Sequence, residues 1–585
     1  MRIPAALAAT ILSAGLFAAR PATKPPKLTA EERAAQSIMR GMSLHDRVAQ
    51  LVIGVAYGDV PSRRSPEYEK YRHWVHDLRI GGLIINNHVQ NGLVRNAEAH
   101  AFALFLNQMQ RLARTPLIVG ADFERGASMR VSEGPKFPYN MAIGATGDIE
   151  EARYEGLETA REARALGVQW IFAPVADVNV NPENPVINIR SFGENPEEVS
   201  KDVVAYIQGA HSDPKNRVLV TAKHFPGHGD TNIDSHLGLA RLDASRERMN
   251  QVELKPFEAA IANGVDSIMT AHMAVPAIEP ENIPATASSK VLTGLLREEL
   301  GFKGLIVTDA LDMLGFANGF PGGEGVVRAL EAGADVLLMP PDPEKAIRAV
   351  MQAIRAGRLT RQRIDESVIR VLAAKIRVGV LKKRYVDLDQ VSDVLDAEEV
   401  ETRVAEMSDR AVTLVRNGPS PSGPVLVPLS EPDRACLVVA VGARLSQYGQ
   451  HMASEFRHRA AHVRVTFVDP SMPLAAMSDA VGDTSTCSAT VIAVFSTGGP
   501  LNGDIPQFIA KLTASPSILV AVGSPYVLGD FPNAGASLTT FSTTPPSEAA
   551  AVKALFGEIA IGGHLPVTIP GFAKYGDGIT VALKR

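Results

Sequence analysis

The sequence predicts an α/β protein, with an N-terminal (β/α)8 TIM-type barrel followed by a smaller αβα sandwich domain. Three observations support this prediction. Eight short apolar segments alternate with amphipathic helical stretches between residues 50 and 339. Charged side chains directly follow several of these segments. A connector rich in proline and serine then separates a second, shorter alternation of the same kind.

The eight apolar segments are short and rich in β-branched residues, as expected for buried parallel strands. They are Gln50–Gly54, Gly82–Ile85, Pro116–Gly120, Val168–Phe172, Val218–Thr221, Val265–Thr270, Gly304–Thr308 and Ala334–Met339. Helix-period patterns separate them, at Val94–Arg111, Ile149–Ala165, Pro196–His211, Glu253–Asn263 and Ser289–Leu300. Eight strand–helix units favour a closed barrel over an open sheet, and residues 30–385 are assigned to it.

The region after the barrel divides into a connector and a second domain. Residues 386–424 are first charged and helical, then rich in proline and serine, which is typical of a connector. Residues 425–585 are assigned to the αβα sandwich. Its predicted strands are Val425–Pro428, Ala435–Val441, Val463–Val468, Thr490–Phe495 and Ser517–Val522. Both cysteines, Cys436 and Cys487, lie here, and the sequence does not decide whether they pair.

Residues 1–19 have the pattern of a secretory signal peptide. Arg2 supplies a positive charge, an uncharged apolar run follows, and the run ends at Ala18 and Ala19. A membrane anchor is the alternative, which the short and interrupted run disfavours. Residues 20–29, rich in proline and lysine, are assigned to a linker. We therefore expect an exported protein, periplasmic or extracellular, without a membrane segment once the signal is removed.

Composition excludes several other classes of protein. Hydrophobic residues make up 45% and charged residues 21%, so a mostly disordered chain is excluded. The 59 basic and 64 acidic residues give a net charge of −5, which is not the pattern of a nucleic-acid-binding protein. Two cysteines in 585 residues exclude a four-cysteine zinc site and a scaffold built from disulfides.

Polar residues follow the third to seventh predicted strands. In a (β/α)8 barrel these positions meet at the rim formed by the carboxyl ends of the strands, where active sites lie. A single one of them could be a helix cap or a salt-bridge partner, but their shared position favours a site. The residues are Asp122, Asp177, Lys223, His224, His272 and Asp309.

The densest polar stretch of the chain is Lys223–His236, with three histidines, two aspartates and a lysine. Its proline and glycines disfavour a regular helix, so we expect a shaped loop. One interpretation is a metal site, which the lysine at its head disfavours. Another is an acid/base pair, because Asp234 can orient the imidazole of His236 and favour its protonation. The third is a packed loop with internal hydrogen bonds, which we favour for His228 and Asp230.

Three further positions could carry chemistry. Asp309 ends the seventh strand, where a carboxylate can act as a nucleophile. Asp312 competes with it, and a plain helix cap is the alternative for Asp309. The segments Asp122–Arg130 and Asn188–Gly193 offer carboxylates and guanidinium groups that suit a neutral polyhydroxylated ring. Arg190 could equally form a structural salt bridge.

The motif Lys-His-Phe-Pro-Gly-His-Gly-Asp-Thr-x-x-Asp-Ser-His at 223–236 resembles the signature of bacterial β-N-acetylhexosaminidases of glycoside hydrolase family 3. Thr-Asp-Ala-Leu-Asp-Met at 308–313 resembles the nucleophile segment of that family, and residues 294–304 also fit. The resemblance extends over residues 35–375. It continues more weakly at 523–526 and 565–570 in the second domain.

The resemblance implies an exo-acting retaining β-N-acetylglucosaminidase. Asp309 would be the nucleophile, and His236, oriented by Asp234, would be the general acid and base. The substrate would be a glycan with terminal β-linked GlcNAc, from peptidoglycan fragments or chito-oligosaccharides, without a cofactor or a metal. The residues implied to hold the terminal sugar are Asp122, Arg130, Arg190, Lys223 and His224.

One departure concerns the segment after the third strand, where the family pattern is Asp-x-Glu-Gly-Gly-Arg-x-x-Arg. Arg125 replaces the first glycine of that pattern and Ala127 the first arginine. The natural leaving group therefore stays open. A phosphorylase, a β-glucosidase and a non-catalytic glycan-binding protein remain alternatives, and the sequence does not decide the oligomeric state or the role of the second domain.

Overall fold

The computed structural model describes residues 28–90, 93–418, 425–513 and 517–583. The predicted signal peptide, most of the linker and part of the connector lie outside these residues. Eight strands form one parallel sheet: β1 (Val52–Tyr57), β2 (Gly82–Asn86), β3 (Ile118–Ala121), β4 (Trp170–Ile171), β5 (Leu219–Phe225), β6 (Ser267–Thr270), β7 (Leu305–Thr308) and β8 (Leu337–Leu338). A parallel bridge between Val307 and Val336 joins β7 to the segment of β8. The predicted (β/α)8 barrel is therefore confirmed, and each strand overlaps its predicted segment.

Helices surround the barrel sheet. Their main bounds are Ala30–Arg40, Leu44–Ala49, Pro66–Arg72, Ala99–Leu112, Asn140–Thr146, Ile149–Leu166, Pro196–His211, Arg246–Gln251, Lys255–Ala262, Lys290–Glu299, Glu324–Ala332, Pro343–Arg355 and Arg361–Arg377. Local signals fix several ends. Asn195 caps the helix that starts at Pro196 by accepting from the N–H groups of Glu197 and Glu198. Gly167, at φ 88°, ends the helix Ile149–Leu166 in the left-handed conformation that glycine tolerates.

One predicted helix starts later than expected. Residues 93–95 do not begin the helix predicted at Val94–Arg111 but pair antiparallel with residues 88–90. The helix starts at Ala99, because Glu98 accepts hydrogen bonds from the N–H groups of His100 and Ala101. The hairpin lies directly after β2, and its base brings Asn87 to the rim of the barrel.

The barrel interior is filled with side chains rather than open. Trp170 is fully buried and donates its indole N–H towards Thr221 Oγ1 at 2.8 Å and Ser267 Oγ at 2.9 Å, which joins β4, β5 and β6. Gly120 lies against the ring of Phe172, where a Cβ would come within 2.7 Å of the ring. This packing fixes the strand ends and, with them, the rim.

The second domain contains a six-stranded sheet. Its strands are β9 (Thr413–Asn417), β10 (Cys436–Ala440), β11 (Arg464–Val468), β12 (Thr490–Ser496), β13 (Ser517–Gly523) and β14 (Ala536–Thr539). Their order in the sheet is β9–β14–β13–β12–β10–β11, and all neighbours are parallel except β9 and β14. Alternate residues of the central strands belong to two separate apolar cores, one on each face. The helices that flank the sheet are Gln450–Arg459, Leu474–Val481, Ile505–Leu512 and Pro545–Phe556.

The first strand of this sheet differs from the prediction. Residues 425–428 form no strand, because the side chain of Asn417 accepts the N–H groups of Leu426 and Val427 and donates to the carbonyl of Val427. The edge strand is instead β9, which lies inside the segment assigned to the connector. That segment also holds the helices Val391–Leu395 and Glu398–Ala411. The strand β14 was absent from the predicted set.

The second domain is tied together and packed on the barrel. Cys436 and Cys487 form a disulfide, which answers the question the sequence left open. Asn179 donates to the hydroxyl of Tyr526 at 2.9 Å, and Glu194 accepts both the N–H and the hydroxyl of Thr568. The weaker sequence similarities at 523–526 and 565–570 therefore lie at the contact with the barrel. Among the described residues, no helix has the length and apolar character required to cross a membrane.

Candidate active site

A cavity of about 410 Å³ opens at the rim formed by the carboxyl ends of the barrel strands. Seven of the eight predicted site residues line it, and Asp234 contacts one of them. The seven are Asp122, Arg130, Arg190, Lys223, His224, His236 and Asp309. Residues that lie up to 187 positions apart in the chain (Asp122 to Asp309) thus share one cavity, as their placement after parallel strands predicts.

Asp309 lies half-buried directly after β7. Its Oδ1 accepts the N–H of Ala310 at 2.8 Å. Burial acts to raise the pKa of Asp309, but the nearby imidazoles of His224 and His272 outweigh it and lower the pKa. Asp309 is therefore a carboxylate at neutral pH, with Oδ2 free of hydrogen bonds from the described residues.

Asp312 lines the same cavity. Partial burial and the neighbouring charge of Asp309 raise the pKa of Asp312, opposite to the shift at Asp309. The two carboxyls therefore differ in their readiness to ionise, and Asp309 is the stronger acid. This difference favours Asp309 as the nucleophile of the two.

Asp234 and His236 form a close pair on the loop after β5. Asp234 Oδ1 lies 2.8 Å from Nδ1 of His236 and also accepts the N–H of His236 at 2.8 Å. The carbonyl of Asp234 accepts the N–H of Leu237, so Asp234 both closes a turn and orients the imidazole. The side chain of His236 is 60% exposed, and its Nε2 has no partner among the described residues.

A network of ion pairs forms the floor of the cavity. Lys223 is 2% exposed and lies 2.9 Å from Asp122 and 2.7 Å from Glu124. Arg130 pairs with Asp122 at 2.8 Å, and Arg190 forms two hydrogen bonds to Glu124 at 2.7 and 2.9 Å. Burial acts to raise the pKa of Glu124, but Arg190 and Lys223 hold it well below its usual range. The network is therefore ionised, and each of its three cations already has a carboxylate partner.

His224 is positioned by a buried carboxylate. Asp177 is fully buried, and its Oδ2 lies 2.8 Å from Nδ1 of His224. Asp177 also accepts the N–H groups of His224 and His228, so one side chain fixes the start of the loop in three places. Nε2 of His224 faces Arg190 at 3.5 Å.

His228 lies inside the loop, as the packed-loop interpretation predicts. It is 2% exposed, with Nδ1 2.7 Å from Thr231 Oγ1 and Nε2 3.0 Å from Ser235 Oγ. Asp230 instead faces Arg248 at 3.7 Å. The three histidines of the loop therefore contact different side chains and do not converge on one point. Among the described residues, no group of three or more His, Cys, Asp or Glu is placed to hold a metal ion.

Four residues contribute to the site without a role assigned from the sequence. Glu124 and Asp177 hold the cations and the loop. His272 is buried at the rim, with Nε2 2.9 Å from the carbonyl of Ala310, and Asn87 accepts from Arg130 at 2.9 Å. The position of Asp177 and His272 after strands, and the match of Glu124 to the family pattern, were the available signals. Asn87 had none, because the hairpin that places it was not predicted.

The two departures from the family pattern lie beside the cavity. The guanidinium of Arg125 lies 4.8 Å from the ring centroid of Tyr139, which lines the cavity. Ala127 is buried, and its N–H donates to Glu162 Oε2 at 2.7 Å. The wall around Tyr139 therefore differs from the family pattern, whereas the floor keeps its matching residues.

A (β/α)8 barrel with a cavity of carboxylates, imidazoles and paired cations at the carboxyl ends of its strands has the architecture of an enzyme active site. The family model described as the N-terminal domain of glycosyl hydrolase family 3 matches residues 43–374. Because this match covers more than half of the chain, the chain belongs to glycosyl hydrolase family 3. It is a glycosidase.

Individual relatives agree with this assignment. A solved family 3 β-N-acetylglucosaminidase from Paenibacillus sp. str. FPU-7 is 32% identical, with a TM-score of 0.80 over 90% of this chain and 99% of that chain. The β-N-acetylglucosaminidase/β-glucosidase of Cellulomonas fimi is 28% identical over 83% of this chain and 90% of its own length. β-Hexosaminidase A of Pseudoalteromonas piscicida is 34% identical over 60% of this chain and 62% of its own length.

Proposed function

We propose that this protein is an exo-acting retaining β-N-acetylglucosaminidase that uses Asp309 as nucleophile and the pair His236–Asp234 as general acid and base. The observation that carries the proposal is the shared cavity of Asp309 and His236, one an ionised carboxylate and the other an imidazole held by a carboxylate. A nucleophile and a proton donor on one cavity are the two groups that a double-displacement glycosidase requires.

In the first step Asp309 attacks the anomeric carbon and forms a glycosyl ester. The N–H of Ala310 holds Oδ1, which leaves Oδ2 for the attack. As the glycosidic bond breaks, His236 donates the proton of Nε2 to the leaving oxygen, since Asp234 already occupies Nδ1. In the second step His236 takes a proton from water, the water oxygen displaces Asp309, and the sugar leaves with its β configuration retained.

The ion-pair network supplies the contacts to the terminal sugar. Asp122 can accept from sugar hydroxyls, whereas Arg130, Lys223 and Arg190 can donate to them. Because these groups are already ordered by Glu124 and Asp122, binding costs little side-chain ordering. His224, fixed by Asp177, adds a polar contact at the edge of the network.

The names of the relatives support GlcNAc as the terminal sugar. Peptidoglycan fragments and chito-oligosaccharides both present terminal β-linked GlcNAc. The cavity wall at Arg125 and Ala127 departs from the family pattern, so we propose both classes of glycan as substrates. Export is supported by the disulfide Cys436–Cys487, since such bonds persist in oxidising compartments. Hydrolysis rather than phosphorolysis is supported by the cavity cations Arg130, Arg190 and Lys223, because each is already paired with a carboxylate.

The decisive experiment is cleavage of 4-nitrophenyl β-GlcNAc by the purified protein, with and without phosphate, with the sugar product identified. Release of free GlcNAc at equal rates in both buffers is the expected result. Formation of GlcNAc 1-phosphate, at a rate that rises with phosphate concentration, would show that the reaction is phosphorolysis. The roles of Asp309, His236 and Asp234 would be unchanged. Cleavage of 4-nitrophenyl β-glucoside alone would overturn the sugar specificity.

A further inference from the structure

A second cavity, of about 420 Å³, lies at the opposite end of the barrel, near the amino ends of β4 and β5. Three segments enclose it: the last turns of the helix Ile149–Leu166, residues 213–216 before β5, and residues 383–394 after the barrel. It shares no lining residue with the catalytic cavity. None of its residues takes part in the proposed cleavage of the glycosidic bond.

Positive charge dominates this cavity, although the whole chain has a net charge of −5. Its only acidic lining residues are Asp213 and Asp387, and both cap short helical turns by accepting backbone N–H groups. Five basic residues oppose them: Arg161, Arg164, Lys215, Lys383 and Arg384. The five cations and two carboxylates give the lining of the cavity a net charge of +3.

Several of these cations lack partners. Arg161 pairs with Glu158 at 2.7 Å, and Arg384 donates to backbone carbonyls. Arg164, Lys215 and Lys383 form no ion pair with any residue that the structure describes, and Nη1 of Arg164 is buried without a hydrogen-bond partner there. An anion bound in the cavity would compensate the charge of these unpaired cations.

The helix end alone does not explain the cluster. Arginines near a helix C-terminus interact favourably with the helix dipole, which accounts for Arg161 and Arg164. Lys215 and Lys383 come from two other segments and have no such reason to converge. Tyr385, which is 46% exposed, and Val386 add apolar surface to the same cavity.

We propose that this cavity is a second ligand site that binds a phosphate group, either as the free ion or carried by a small sugar. Arg164, Lys215 and Lys383 would contact the phosphate oxygens, because guanidinium and ammonium groups suit a multiply charged oxyanion. Tyr385 would pack on the attached ring. The cavity volume falls in the range of small-molecule sites.

The test is calorimetric titration of the intact protein with inorganic phosphate, glucose 6-phosphate and glucose. We expect inorganic phosphate, glucose 6-phosphate or both to bind. Glucose, which lacks a phosphate group, is the control and should not bind. Arg164→Gln should weaken the binding by roughly 10-fold or more, the effect expected for loss of a hydrogen bond to a charged group. Arg355→Gln, at an exposed arginine without an ion pair among the described residues, should leave it unchanged.

Tighter binding of glucose 6-phosphate than of inorganic phosphate would identify a sugar phosphate as the ligand. Equal affinities for the two would identify the phosphate ion. Lys383→Gln, at an exposed side chain, repeats the test if Arg164→Gln does not fold. Both variants should keep the wild-type kcat/KM on 4-nitrophenyl β-GlcNAc. The proposal would be overturned if phosphate did not bind, or if both variants bound it as the wild type does. It would also be overturned if GlcNAc displaced the phosphate, because the phosphate would then lie in the catalytic cavity.

Discussion

Nε2 of the buried His228 lies 3.0 Å from the hydroxyl of Ser235, the residue between Asp234 and His236. The proposed acid/base pair lies on the loop after β5, and this hydrogen bond connects it to the buried start of that loop. Asp177 holds the N–H of His228 in turn. The position of His236 therefore depends on a chain of contacts that runs from the barrel strands to the loop.

Replacing Asp309 should abolish turnover and keep the fold. We expect Asp309→Ala to lower kcat on 4-nitrophenyl β-GlcNAc by at least about 10⁴-fold, as for removal of a principal catalytic group in other hydrolases. Asp312→Ala, at the neighbouring carboxyl, is the matched control and should retain measurable turnover. The reverse order of the two variants would move the nucleophile to Asp312.

The loss on replacing His236 should depend on the leaving group. A general acid contributes about 10²–10⁴-fold when the leaving oxygen needs a proton, and far less for nitrophenol. His236→Ala should therefore slow the cleavage of chitobiose much more than the glycosylation step with 4-nitrophenyl β-GlcNAc. Leu237→Ala, at the adjacent side chain that is 72% exposed, controls for disturbance of the loop. Equal losses on both substrates would count against His236 as the acid.

Glu124 should matter for both stability and binding. Glu124→Gln removes the charge that compensates Lys223 and Arg190, so the buried Lys223 and the partly exposed Arg190 each lose a partner. Breaking a buried ion pair in this way costs about 3–5 kcal/mol in the free energy of unfolding. We expect a lower urea midpoint together with a raised KM, measured against Glu183→Gln at an exposed carboxylate. An unchanged KM would show that the network is structural only.

His228 should make stability depend on pH. Burial lowers the pKa of His228 from 6.5 to about 4, so the folded protein favours the neutral imidazole. The stabilisation is complete above pH 6.5 and is lost as the pH falls from there through 4. The loss amounts to about 3 kcal/mol at most.

Urea unfolding of the wild type and of His228→Gln at pH 7.5 and pH 4 measures this contribution. The variant should be the less stable protein at pH 7.5, and the difference should shrink at pH 4. The variant should also lose activity at pH 7.5, although Asp234 and His236 remain in place in its sequence. A difference that grew on acidification would contradict the assigned direction of the pKa shift.

The disulfide should stabilise the second domain. It links residues 51 positions apart, for which the loss of chain entropy in the unfolded state corresponds to about 4 kcal/mol. Reductant should therefore lower the melting temperature of the wild type. The double variant Cys436→Ser/Cys487→Ser should have the melting temperature of the reduced wild type, both with and without reductant. A wild type that melts identically in both conditions would show that the bond contributes no stability.

Much of this molecule followed from local patterns in the chain. Each strand of the barrel is a short apolar run, and the helix Pro196–His211 has the predicted bounds because Asn195 and Pro196 define its start. The rim position of Asp309 and Lys223 followed from the strand count. The roles of Asp309, His236 and Asp234 came from resemblance to a family and stay a prediction.

Other features were decided only by tertiary structure, because they depend on partners far away in the sequence. Thr413–Asn417 is a strand because Ala536–Thr539 lies beside it, and residues 425–428 are not, because Asn417 takes their backbone groups. Glu124 became central when folding brought Lys223 and Arg190 to it. The sequence by itself determined which elements form and which rim residues follow the strands. Packing alone decided which polar groups meet, since hydrogen bonds and ion pairs act only over a few ångströms.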